Sequence, residues 1–492
     1  MPIRCRFRMA PYAQLDWNRM TRVIHWLCVE NSSPCQALVT KCVDHEDMQM
    51  KLGSPTPKPE PLLPERRTSL KIPAIRKLWS LIPPRSFLAM LDQSVVSGTR
   101  FLTTILIGRL CGPEELGVYS LTFAIYLLIA CLQEALISTP YTVFGNRLQG
   151  TQRKLLAGSV LVHSLVLSFA AVIAIGGGTA MLWAGNGYAE FMPAAFTLAA
   201  VMPFMLLWEF GRRYAIAHLQ LHQALILDAA TSVIQISGLA WFVLHSNLST
   251  AGGVFALGIG CGCTGLACYL YYRDEFRFAS LQIAADWWSN WRFGKWVLGG
   301  QIVGFLHGYT PVWVIAVGLG TAATGVFSAC ENIVLLSNPF ILATTNLIGA
   351  TTAKAYGDGG YSAVCQVARA ACLYSAAAMG VLWFVLFFLG GSIVSMLYGD
   401  QFSGNGYVVS VIASAAPLWA VSSVMSVSLR AVGHPESDFR SKVLGLVATL
   451  IMSLLSVSIW GISGVAYSLV AGAMVSTLFQ MWFFYRVIPA LR

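Results

Sequence analysis

From residue 86 to residue 485 the chain alternates apolar runs of about twenty residues or more with short polar breaks. A helix crossing the hydrocarbon core needs about 20 predominantly apolar residues, whereas a membrane strand shows about ten in alternation. The pattern is therefore that of a helical bundle, in which every segment satisfies its own backbone hydrogen bonds. It predicts about twelve spans, at roughly 86–110, 116–138, 155–176, 190–209, 225–245, 252–272, 295–318, 325–350, 368–390, 406–429, 440–460 and 462–485.

Two stretches break this rhythm. Residues 1–64 have mixed polarity and end in the breaker-rich SPTPKPEPLLPE, so they are expected to form a disordered cytoplasmic extension, and residues 65–85 a basic segment on the membrane surface. Between the sixth and seventh spans, residues 273–294 cluster Trp287, Trp288 and Trp291 among arginines, with Trp296 just beyond. That composition suits an interfacial linker in the headgroup layer, joining a lobe of residues 86–272 to one of residues 295–492.

Composition agrees with the pattern. The 492 residues are 56% hydrophobic and 11% charged, against roughly a quarter charged in soluble domains. The net charge of +10 is explained by topology. Lys and Arg fall on alternate connections, among them Arg147, Arg153 and Lys154, then Arg212 and Arg213, then Arg273 and Arg277, then Lys354 and Arg369, then Arg430, Arg440 and Lys442. The intervening connections have none, apart from nearby Arg109. By the positive-inside rule both termini are cytoplasmic, as an even number of spans in the cytoplasmic membrane requires. No basic stripe interleaved with aromatics is present to bind nucleic acid.

Metal and enzyme chemistry find no support in the sequence. Cys28, Cys35, Cys42 and His45 lack the close pairs of zinc motifs. Cys131, Cys261, Cys263, Cys330 and Cys372 lie in apolar spans, where a thiol packs as a small hydrophobe. There is no Walker loop, and GIGCGCTG in the sixth span reads as close helix packing.

The chain carries an internal repeat. A shift of 208 residues lays residues 92–121 on 300–329 with seven identities in thirty positions, among them Gln93 with Gln301, Gly112 with Gly320 and Gly117 with Gly325. A shift of 212 pairs His222 with His434. Six spans separate the paired elements, so the repeat is parallel. The expected fold is an all-α integral membrane protein of about twelve helices, in two parallel six-helix lobes around a central cavity.

Within that fold the polar residues of the spans are the candidate site. Gln93, Ser97, Arg100 and Thr104 share one face of the first helix. A charge at membrane depth faces a bundle interior or a watery cavity. Arg100 is thus either a cation of the central cavity or half of a packing salt bridge with Asp92 or Glu134. The eighth span carries Ser328, Glu331, Asn338, Thr345 and Thr352 at three- or seven-residue intervals, either for helix contacts or for transport. Gln301 and Asn338 join the binding candidates, and Glu331, Glu134 and Asp92 are candidates for coupling to a proton or sodium ion. His163 and His307 read as interior histidines, with a proton-relay role open. Asp228 is placed at the membrane interface.

The segment GRLCGPEELGVYSL, residues 108–121, resembles the loop after the first helix in the polysaccharide transporter family, the O-antigen flippase relatives within the multidrug/oligosaccharidyl-lipid/polysaccharide (MOP) superfamily. The resemblance rests on Arg109, Gly112, Pro113, Leu116 and Gly117, and departs at Cys111 and in the N-terminal extension. It implies a non-enzymatic flippase without cofactor. The cargo would be a polyprenyl-diphosphate-linked glycan moved across the cytoplasmic membrane by alternating access, its diphosphate meeting the two-pronged guanidinium of Arg100. A cation-coupled multidrug exporter of the same superfamily and a membrane enzyme of envelope polymer synthesis are the alternatives.

Overall fold

A computed structural model of the chain describes residues 84–184 and 189–490. The expected extension 1–64, the basic segment up to residue 83, and Cys28, Cys35, Cys42 and His45 lie outside the described residues. What is described is helical, without strands.

In chain order the helices are α1 (Pro84–Cys111), α2 (Pro113–Gln133, continuing through Glu134–Ser138 and Thr139–Gly145), α3 (Gly150–Ala184), α4 (Met192–Ala217), α5 (Leu221–Leu244), α6 (Thr250–Tyr272) and α7 (Ser280–Leu319). The next, α8, begins at Thr321–Leu335, bends by 44° and resumes at Asn338. The element Asn338–Tyr398 is broken at Gly360 (φ 60°, ψ −151°), so residues 338–359 complete α8 and residues 361–398 form α9. After α10 (Gly406–Ala431), the element Pro435–Ala490 is broken at Gly461 (φ 57°, ψ −137°) into α11 (435–460) and α12 (462–490). Both breaks lie in left-handed or mirror-extended backbone, which glycine reaches without a Cβ clash.

Among the described residues nine helices are long and apolar enough to cross a membrane, ten with the bent α8 pair taken as one. One of them, Pro435–Arg486, divides at Gly461 and counts twice. The twelfth is α1, whose apolar run is interrupted by Asp92, Gln93 and Arg100. Odd-numbered helices therefore start at one end of the bundle, called here the basic end because its connections hold the clustered arginines and lysines; the opposite end is the neutral end.

In the first lobe α6 packs along α4 and α5, α3 along α4, and α5 along α1. The glycines of GIGCGCTG permit this: a β-carbon at Gly260 would lie 2.9 Å from the Thr231 carbonyl oxygen, and one at Gly265 would lie 2.9 Å from the Trp208 nitrogen. In the second lobe α10 packs between the segments 338–398 and 435–490, and α7 lies along the latter.

The repeat is visible in the backbone. Gly112 (φ 95°, ψ 179°) and Gly320 (φ 88°, ψ −177°) hold the same conformation at single-residue joints, between α1 and α2 and between α7 and α8. A β-carbon at Gly117 would overlap the carbonyl oxygen of Thr321, and one at Gly325 would overlap that of Pro113. Both contacts interchange under the 208-residue shift, the signature of a two-fold relation between the lobes. The second shift needs adjustment. The helix ends Ala217 and Ala431, and the starts Leu221 and Pro435, correspond at 214 residues, so His222 falls opposite Glu436.

The expected separate interfacial helix is absent. Coil occupies only residues 276–279, and from Ser280 the Trp-rich stretch runs unbroken into the seventh span as one 40-residue helix. No residue between 280 and 300 lacks a helical hydrogen-bond donor, so nothing there enforces a turn. At 1.5 Å per residue α7 is about 60 Å long, twice the thickness of a hydrocarbon core.

Candidate functional site

A cavity of about 530 Å³ lies between α1, α2, α4, α5 and α7. Its wall runs from Gln93, Glu134, Arg212 and Arg213, near the basic end, to Arg100 and Tyr119 at mid-bundle. Beyond them, toward the neutral end, α2 and α8 cross backbone to backbone at Gly117 and Gly325. Several aromatics line the wall, including Phe123, Tyr126, Trp208 and Phe305, so it offers both apolar faces and a few converging polar groups, the usual character of a ligand pocket.

Three arginines reach this space and are held differently. Arg212, on α4, is clamped by two carboxylates: its Nη2 is 2.7 Å from Asp92 Oδ2 on α1, and its Nε is 2.6 Å from Asp228 Oδ2 on α5. Arg213 is likewise paired, with Glu209 one turn earlier at 2.7 Å and with Glu134 on α2 at 3.0 Å. Arg100 has no carboxylate within ion-pair distance among the described residues. Its Nη2 donates to the Tyr309 hydroxyl on α7 at 3.2 Å, and its guanidinium lies over the Phe123 ring, 4.2 Å from the centroid. Glu331 on α8 acts on it only through space.

Local helix geometry sets these positions. Glu134 opens a π-helical turn, Glu134–Ser138, an insertion that changes the register of α2. Glu134 then lines the cavity while Ala135, Leu136 and Ile137 are buried. Gly294 allows α7 to meet this turn, since a β-carbon there would be 2.7 Å from the Ala135 carbonyl oxygen.

Of the residues singled out from sequence, Gln93, Ser97, Arg100, Gln301 and Glu134 line the cavity together. Gln93 donates to Ser97 at 3.2 Å, and Cys131 to Gln301 at 3.5 Å. Asp92 sits behind the wall as a partner of Arg212, not of Arg100. Thr104 does not line the cavity; it is buried, 3.4 Å from the Tyr398 hydroxyl, because α1 there leans on the end of α9. Asn338 is exposed just past the bend, which also breaks the stripe expected along the eighth span.

Other expectations are also revised. Asp228 is fully buried in the bundle, at 0% exposure, and Arg212 and Arg213 belong to α4 rather than to a connection. An aspartate inside an apolar run was the available signal, since a buried charge demands a partner. His163 Nε2 donates to the Ile283 carbonyl oxygen at 2.9 Å, and the ring meets Trp287 edge-to-face.

No family model matches the sequence, and no curated protein matches it either. Solved structures do match. An inward-facing multidrug resistance MATE family transporter of the MOP superfamily superposes with a TM-score of 0.70 at 17% identity, covering 81% of this chain and 95% of that one. A MOP superfamily transporter from Pyrococcus furiosus, described as having a binding pocket of reversed polarity, gives 0.61 at 17% identity, with 82% and 95% covered. The lipid II flippase MurJ in an inward closed conformation gives 0.62 at 13% identity, with 80% and 86% covered. The twelve helices in two parallel lobes have the fold of the MOP-superfamily membrane transporters.

Proposed function

We propose that the chain is a flippase that carries a lipid-linked oligosaccharide or polysaccharide precursor across the cytoplasmic membrane by alternating access. The basic end is cytoplasmic in this reading, so the cavity receives cargo from the side on which such precursors are made. The observation that carries the reading is the contrast among the arginines. Arg212 and Arg213 are each neutralised by two carboxylates, while Arg100 keeps most of its five N–H donors for a ligand. A diphosphate is a partner of suitable charge and shape. The aromatic and amide side chains around it suit a sugar, and the polyprenyl tail remains in lipid. The flippase MurJ among the solved structures supports the same reading.

Coupling falls to the carboxylates. Asp92 and Asp228 each keep one buried oxygen without a partner among the described residues, and Glu134 and Glu331 flank the cavity and Arg100. Those acids also favour a second reading, a cation-coupled multidrug exporter, and a multidrug resistance MATE family transporter shares the fold.

Native mass spectrometry of the protein in nanodiscs made from native membrane, wild type beside Arg100→Gln, tests the choice. A polyprenyl diphosphate sugar should accompany the wild type and fall by on the order of tenfold or more in the variant, the usual weight of a charge-assisted hydrogen bond. If neither retains such a lipid, while organic cations bind in a manner that depends on Asp92 or Glu331, the exporter reading prevails.

A further inference from the structure

The GRLCGPEELG segment takes no part in the cavity, yet Arg109, Cys111 and Glu115 in it are each engaged at the neutral end. Arg109 Nη1 lies 2.5 Å from the Met396 carbonyl oxygen and 3.4 Å from that of Leu397. These belong to the last turn of α9, in the opposite lobe, where α-helical carbonyls lack backbone partners and carry partial negative charge. Immediately before it on α1, Gly108 makes room for the Tyr398 ring, and about one turn earlier Thr104 meets that ring's hydroxyl at 3.4 Å. Glu115 fixes the following turn within its own lobe, accepting from the Thr250 backbone nitrogen at the start of α6 at 2.7 Å. Gly117 then meets the start of α8 backbone to backbone.

We propose that residues 104–117, with 318–325 and 396–401, form the gate that closes the neutral end, and that Arg109 is its latch. Glu115 ties the first turn of α2 to α6, so the segment moves with the first lobe as a body. Opening the neutral end must withdraw the Arg109 guanidinium from the α9 carbonyls. The latch is made once, although the two-fold relation offers its place twice: the position 208 residues on from Arg109 is Val317, which is 87% exposed. The glycine crossing is the part of the gate to which both lobes contribute alike, while the arginine biases the transporter toward the state open at the basic end. This assignment holds whichever cargo the cavity takes.

Hydrogen–deuterium exchange of the full chain in nanodiscs tests it with Arg109→Ala and Arg109→Gln, the second retaining a donor without charge. Both should raise exchange together at 113–121, 321–328 and 396–402, by on the order of tenfold for alanine and less for glutamine. Exchange at the cavity segments 92–100 and 206–213 should fall in step as that end closes. A rise confined to 394–402 would reduce Arg109 to a local cap of α9 and overturn the proposal, as would unchanged exchange in the glutamine variant if alanine prevents folding.

Discussion

Arg212→Ala is expected to destabilise the folded chain by about 3–5 kcal/mol, the usual consequence of removing one partner from a buried charge cluster. Arg212 holds carboxylates from two other helices, Asp92 on α1 and Asp228 on α5, at 2.7 and 2.6 Å. Asp228 is 0% exposed, and both acids have an oxygen with no other partner among the described residues. Without the guanidinium, two negative charges share a poorly hydrated site where α1, α4 and α5 meet. Arg212→Met combined with Asp92→Asn and Asp228→Asn should recover most of the loss, because removing the whole cluster leaves no unpaired charge. Arg213→Ala should cost less, since its side chain is 31% exposed and solvent screens Glu134, itself 32% exposed, so that only the buried Glu209 is left without its partner. Thermal unfolding in nanodiscs measures the three variants on one scale. Equal melting of Arg212→Ala and wild type would show that the cluster does not hold these helices together.

Gly117→Ala is the second substitution with a large expected effect. Its β-carbon would overlap the Thr321 carbonyl oxygen, a backbone atom that no rotamer change can move aside. Crowding of this kind costs about 1–3 kcal/mol and sometimes more. Gly325→Ala meets the Pro113 carbonyl oxygen in the same way from the other lobe. Each variant forces α2 from α8, so the double variant should cost less than the sum of the singles, by about 0.5–3 kcal/mol. Strict additivity in the same unfolding assay would mean that the two helices do not cross at these glycines in the membrane.

The spans and the repeat were legible because each is a matter of period. An apolar run of the right length has few alternatives, and a duplicated turn keeps its glycine wherever the backbone conformation requires it, as at Gly112 and Gly320. The stripe containing Arg100 was legible from helical spacing alone. Its meaning was not, because the choice between cavity cation and salt bridge depends on residues far along the chain. Asp92 could as well have paired with Arg100, until α4 brings Arg212 to it from 120 residues away. Counting basic residues by loop also hid Arg212 and Arg213, since that count rewards nearness to a span end and is blind to the direction in which a side chain points. The bend in α8 did leave a local trace in Ser337, Asn338 and Pro339, the order of a helix start, and the structure places Pro339 in the first turn of the resumed helix.

The length of α7 has a mechanical consequence. Its first turns are packed on α2 and α3, while its later turns are packed along the 435–490 segment. One continuous rod is thus anchored at both ends, to the first lobe and to the 435–490 segment, bodies that the proposed alternating access would rotate against each other. If the anchors hold, the rotation is absorbed as curvature between them, where the β-carbon positions of Gly299, Gly300, Gly304 and Gly308 all face open space and Pro311 interrupts the hydrogen-bond ladder. On the proposed alternating access that stretch would serve as a flexure, and its stiffness would set how much elastic energy each swing stores and returns.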